Sequence, residues 1–216
     1  FMVTVIGLIP FIATLGGMWI YRGILMILTN GQTIAVRAYA SEEILNSFVK
    51  FGSGSILGIP IPAYVFIVVA LLLSFILKKT VFGRNIYFIG SNPDAAAMSG
   101  INVPKVKFIA YIITGMLGGL AGAMLAGRLV SMPTNGGNGY EFEGIFASVL
   151  GGISMVGGEG GMLGAVVGAI IVACIRNGLN LNGIDAFWQQ VILGIIIVMA
   201  VFYDTVRTKK ARNAKS

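Results

Sequence analysis

From Phe108 to Gly127 the chain runs twenty residues without a charge. As a helix rising about 1.5 Å per residue, that is long enough to cross a hydrocarbon core of about 30 Å. Similar apolar runs occupy about 8–28, 61–77, 161–176 and 186–203, and a shorter, glycine-broken one lies at 144–157. The spans are read at 8–28, 61–77, 107–128, 144–157, 161–176 and 186–203. Pro10 either starts or kinks the first. Charged residues make up 11% of the chain and apolar ones 56%, against roughly 25% charge in a soluble domain. The mean hydropathy is +0.90. The expectation is an all-α, polytopic transmembrane helical bundle, with about six spans in this fragment. The chain opens at Phe1 within an apolar run, and no signal peptide is expected before it. It is therefore expected to be the C-terminal part of one membrane domain over residues 1–216, without its natural N-terminus.

Several chemistries are excluded. There is no histidine, and Cys174 is the only cysteine, so an internal disulfide and a cysteine-cluster metal site are both ruled out. No GxxxxGK[ST] loop occurs. If ATP drives this protein, another chain hydrolyses it. Cys174 itself reads as a small buried residue of the fifth span.

Charge placement sets the topology. The segment 78–107 holds Lys78, Lys79, Arg84, Lys105 and Lys107 against Asp94. The tail holds Arg207, Lys209, Lys210, Arg212 and Lys215 against Asp204. The positive-inside rule puts both on the cytoplasmic side: a loop at 78–106 and a basic tail at 204–216. Four crossings must then separate them, so the short stretch 144–157 counts as a full crossing or is paired with another partial one. The loop at 29–60 faces outward, with Arg37 and Lys50 balanced by Glu42 and Glu43. The basic residues are not interleaved with aromatics on one face, so no nucleic-acid partner is expected.

Within the basic loop, residues 90–107 read GSNPDAAAMSGINVPKVK. Ser91 or Asn92 can cap a helix. Pro93 suits its first position, and Asp94 sits where the helix dipole favours an anion. Ala95, Ala96 and Ala97 propagate it, and Gly100 stops it. The product is a short helix over about 93–99, which either caps a loop or fits a groove on another protein.

Small residues recur four apart at Gly115 and Gly119, Gly118 and Gly122, Gly160 and Gly164, and Gly164 and Gly168, a spacing that favours tight helix contacts. Short or glycine-broken membrane segments often mark a transport site, and 144–157 fits that description. The preceding NGGNGYEFE reads as an outer loop of turn chemistry. Asn135, Asn138, Tyr140 and Glu141 are candidate residues of an outer mouth, since asparagine both donates and accepts hydrogen bonds; the alternative is a solvated turn. GGEGG at 157–161 falls inside, where Glu159 is a turn acid or a contact to a partner. Arg22, Arg128 and Arg176 fall toward outer span ends, where they snorkel or pair with Glu141, Glu143 or Asp185. Trp19, Trp188 and Tyr203 read as packing or interfacial anchors; Trp188 with Gln189 and Gln190 is the candidate for a polar-facing cluster.

Asp94-Ala95-Ala96, with Gly100 four residues on, resembles the EAA loop of bacterial ABC importer permeases. FGRNIYFIGSNPDAAAMSGINV, NGGNGYEFEGIFASVLGGISMVGGEGG and NGLNLNGIDAFWQQVILG together resemble the monosaccharide branch, the ribose/xylose/galactoside-type permeases. PFIATLGGMWIYRG fits as well. Asp94 stands where the motif has Glu, which keeps the anion. The resemblance implies the membrane subunit of an ATP-driven sugar importer in the bacterial inner membrane, not an enzyme. It implies a second permease chain, an ATP-binding subunit that holds the ATP and Mg, and an extracytoplasmic sugar-binding protein. This chain would carry no cofactor. Asn92, Pro93, Asp94, Ala95, Ala96 and Gly100 would form the coupling helix that docks on the ATPase, flanked by Arg84 and Lys105. The rivals are a branched-chain amino acid permease, against which the sugar-type motifs argue, and an integral membrane enzyme, for which no acid pair within one span is found.

Overall fold

In the computed structural model the described residues are 1–185, 187–192, 194–196, 198, 199 and 202. They form eight α-helices and four two-residue strands: α1 (Pro10–Thr29), β1 (Ile34–Ala35), α2 (Glu42–Ser53), β2 (Ser55–Ile56), β3 (Ile59–Pro60), α3 (Ile61–Lys79), α4 (Val81–Ser91), α5 (Pro93–Met98), α6 (Val103–Leu129), β4 (Ser131–Met132), α7 (Tyr140–Leu150) and α8 (Met162–Leu181). Helical residues continue at 187–192 and 194–196.

Four of these helices, α1, α3, α6 and α8, are long and apolar enough to cross a membrane. Helix is the natural form for such segments, because hydrocarbon offers no hydrogen bonds to the backbone. Pro10 begins α1 and does not kink it, in keeping with a first-turn proline having no N–H to lose. The expected fourth span is a different object. Its helix α7 has 11 residues, about 16 Å of length, and residues 151–161 after it are not helical. The expected sixth span, 186–203, falls partly outside the described residues, and the tail 204–216 with Tyr203 lies wholly outside them.

By contacts the chain divides into two units, one of Phe1–Leu71 with Gly100–Asn138 and one of Leu72–Ser99 with the chain from Gly139 onward. In the first, α2 crosses α6 at a pair of buried glycines, Gly52 and Gly127. A Cβ on Gly52 would collide with the backbone of Met124, Gly127 and Arg128, and one on Gly127 with the Phe48 carbonyl. β1 and β4 pair antiparallel, Ile34 opposite Met132 and Ala35 opposite Ser131. The loop at 29–60 is thus substantially structured.

In the second unit α7 and α8 form an antiparallel hairpin. Gly151 meets Gly164 and Ala147 meets Gly168, while Glu143 pairs with Arg176 farther along, so residue numbers rise on one helix as they fall on the other. Phe146, Ala147 and Val172 are buried between them, with Leu150, Ala169, Ile175 and Ile196 against the cluster. Cys174 on α8 is exposed, against the expectation of a buried residue. Val172 and Arg176 take the α7-facing side, and position 174 is turned away by about 200° from position 172, as helical geometry requires.

The glycine pairs split. Gly164 and Gly168 are clamped against α7, and Gly160 against Ile153, whereas Gly115, Gly118, Gly119 and Gly122 have no atom within 4 Å of where a Cβ would stand. α3 has no buried residue. Apolar side chains facing outward are at no disadvantage in lipid, where hydrocarbon tails are as apolar as leucine.

Candidate coupling and pathway residues

The loop at 78–106 holds two helices. The first, α4, was not read from the sequence. Thr80 caps it, its Oγ1 accepting from the Gly83 N–H at 3.1 Å, and Gly83 and Ile89 are buried along it. The signal was present: a threonine cap and apolar residues at Phe82, Ile86 and Ile89, three and four apart. The second helix, α5, spans Pro93–Met98, close to the expected 93–99. Asn92 is its cap, its Oδ1 accepting from the Asp94 and Ala95 N–H groups at 3.0 Å each. Ser99 is the C-cap, and Gly100 follows in the left-handed region at φ 81°, where glycine is at no steric cost. On α5 only Ala96 is buried. Met98 is 90% exposed, and Pro93, Asp94, Ala95 and Ala97 are exposed as well.

Behind α4 lies the glycine loop. Tyr87 Oη donates to the Gly160 carbonyl at 2.9 Å. Gly90 abuts Gly157 and Gly158 so closely that a Cβ on Gly90 would stand 2.5 Å from the Gly158 nitrogen. Gly157, Gly158 and Gly160 take φ of 102°, 78° and 118°, which no other residue type adopts readily.

The candidate mouth residues separate between the two units. Asn135 and Asn138 lie in the turn that ends the first, where Asn138 N–H donates to the Asn135 carbonyl at 3.2 Å. Tyr140 and Glu141 open α7 in the second, both exposed. Asn138 Oδ1 accepts from Arg22 Nη1 at 2.7 Å. Arg22 therefore takes an amide partner and not one of the three acids considered for it. Arg176 does take one, pairing with Glu143 across the hairpin, the sole ion pair among the described residues. Asp185 instead accepts from the Phe187 N–H at 2.8 Å. Gln189 is buried and donates to Asn180 Oδ1 and the Ile184 carbonyl, both at 2.8 Å. Trp188 is 65% exposed and Trp19 68%, and Trp19 stands midway along α1, away from either end of the helix. Among the described residues no group of His, Cys, Asp or Glu is arranged to hold a metal ion.

A family model described as "Branched-chain amino acid transport system / permease component" matches residues 1–201. The ribose import permease protein RbsC of Bacillus subtilis (strain 168) is 43% identical over 195 residues, 90% of this chain and 59% of that protein. RbsC of Escherichia coli (strain K12) is 40% identical over 194 residues, 90% of this chain and 60% of the relative. The D-allose transport system permease protein AlsC of Escherichia coli (strain K12) is 36% identical over 203 residues, 94% of this chain and 60% of the relative. The chain thus spans about three fifths of the length of these curated relatives. No solved structure matches.

Proposed function

We infer what this chain does from the family to which it belongs, that of branched-chain amino acid transport system permease components. The reading is a multi-pass membrane subunit of an ATP-driven importer that carries a monosaccharide across the bacterial inner membrane. The observation that carries it is the 43% identity to a ribose import permease across 90% of the chain. The relatives reported are sugar permeases, which favours a sugar over a branched-chain amino acid despite the family's description. In this reading ATP and its Mg are bound by a separate ATPase subunit, an extracytoplasmic binding protein delivers the sugar, and a second permease chain completes the pathway.

Orientation follows from charge, with 78–106 and 204–216 cytoplasmic and 29–60 outside. The contacts within each unit fit the grouping of segments by side, and charge alone chooses which side is cytoplasmic. Tyr87 and Gly90 meet Gly160 and Gly158, all assigned inside. Arg22 meets Asn138, and Arg176 meets Glu143, all assigned outside. Asn92, Pro93, Asp94, Ala95, Ala96 and Gly100 then form the dock for the ATPase, and Asn135, Asn138, Tyr140 and Glu141 the outer mouth.

The test is reconstitution of the full natural protein with its ATPase and binding protein in proteoliposomes. ATP-dependent uptake of labelled ribose, xylose, allose and leucine is compared. One or more of the sugars accumulates and leucine does not; leucine uptake without any sugar uptake would reverse the assignment. In the same assay Asn138→Ala lowers uptake by about two- to tenfold, the kinetic equivalent of one hydrogen bond of ~0.5–1.5 kcal/mol. Unchanged uptake at normal expression removes Asn138 from the mouth.

A further inference from the structure

We propose that the contact of Gly90 with Gly157 and Gly158 positions the transmission between α5 and the α7–α8 hairpin, so that a displacement of α5 by a bound ATPase moves the broken membrane segment. The inference rests on the transport reading above and adds residues that it does not use.

One end of the linkage is stiff. Asn92 is at once the C-cap of α4 and the N-cap of α5, so no slack residue separates the helices. A push on α5 is delivered to the end of α4, where Gly90 sits.

The far side of the contact is compact. The loop after α7 is closed by the Ser154 N–H to the Glu159 carbonyl at 3.2 Å and by the Ile153 N–H to the Ser148 carbonyl at 3.0 Å. Gly160 packs on Ile153. The loop therefore moves as a piece with the hairpin, whose helices are clamped at Gly151 with Gly164 and at Ala147 with Gly168. Contiguous packed elements of this kind are what carry coupling between distant sites.

Where Gly90 meets Gly157 and Gly158, backbone faces backbone. Gly90 and Gly158 have no side chains to interleave, so the approach is closer than any other pair of residues allows. Tyr87, three residues earlier and on the same face of α4, adds the hydrogen bond to Gly160. Beside the contact is a cavity of about 270 Å³ lined by residues that include Leu77, Ile86, Ile153 and Met162. It leaves room for the loop to shift against α4.

The experiment uses the full complex in proteoliposomes and reads four quantities: retained ATPase, basal hydrolysis, hydrolysis stimulated by sugar-loaded binding protein, and uptake. Gly90→Ala puts a methyl group into the contact. Tyr87→Phe removes one hydrogen bond without adding bulk. Gly161→Ala, at a position with nothing within 4 Å, is the control. Gly90→Ala keeps its ATPase and its basal rate, while uptake and stimulated hydrolysis both fall by about tenfold, within the range for residues along a coupling network. Tyr87→Phe falls by about threefold and Gly161→Ala by less than about twofold on the same scale. The inference is overturned if Gly90→Ala and Tyr87→Phe both transport like the native complex. It is also overturned if ATPase retention and basal hydrolysis fall in parallel with uptake, since that marks a purely structural role. If Gly90→Ala does not accumulate in the membrane, Tyr87→Phe decides by the same criteria. A native complex that fails to retain its ATPase overturns the transport reading itself, a result separate from any difference between variants.

Discussion

Replacing residues 92–100 of the full natural protein with a Gly-Ser segment of equal length releases the ATPase subunit, while the permease stays folded in detergent. Co-purification from solubilised membranes falls below about a tenth of the native level, as expected when the few residues that carry most of an interface's energy are removed together. The physical case is the exposure of α5. A six-residue helix with Ala96 as its buried member contributes little to the packing of its own chain, so its removal reads out on a partner. The replacement also removes Asn92, whose side chain pairs the first two free N–H groups of the helix. Asn92→Ala alone costs about 1 kcal/mol of local helix stability, and ATPase retention declines by about fivefold on the scale of tenfold per 1.4 kcal/mol. Equal retention by the native and replaced chains would show that α5 is not the main dock.

Gly168→Leu is the substitution expected to damage the fold most. A Cβ alone at Gly168 would overlap the Ala147 carbonyl and crowd the Gly151 nitrogen. Overpacking against side chains costs about 1–3 kcal/mol because they can rotate away; backbone in a hydrogen-bonded helix cannot, so the cost exceeds that range. The protein accumulates poorly in the membrane, and what does accumulate aggregates on gel filtration in detergent. Gly178→Ala on the same helix, with nothing within 4 Å, is tolerated and gains up to about 1 kcal/mol of helix propensity. A Gly168→Leu protein that is monodisperse and as thermostable as the native one would show that α7 and α8 are not clamped at this point.

The two glycine series show how far the sequence is legible. Gly115 with Gly119 and Gly164 with Gly168 have the same spacing in equally apolar helices. One pair is open and the other is pressed onto a neighbouring backbone. Spacing states that a face is flat enough for close approach; it does not state what approaches. The arginines repeat the lesson. Placement toward the ends of spans is readable from charge and hydropathy, and Glu143 is among the acids the sequence offers to Arg176. Arg22 finding the Asn138 amide was not readable, because the partner lies 116 positions away and a neutral amide gives no charge signal.

The sequence by itself determined what is local or periodic. An uncharged run of twenty residues needs only its own backbone bonds to form a helix in lipid, and Asn92-Pro93-Asp94 starts α5 through contacts within three residues. The family motifs lie along the chain and are legible for the same reason. Tertiary structure alone decided the antiparallel clamp of α7 on α8, the exposure of Cys174 and the meeting of Gly90 with Gly158. Each depends on which distant backbone arrives beside a residue, and a side chain too small to leave a hydropathy signal is the one that permits the closest arrival.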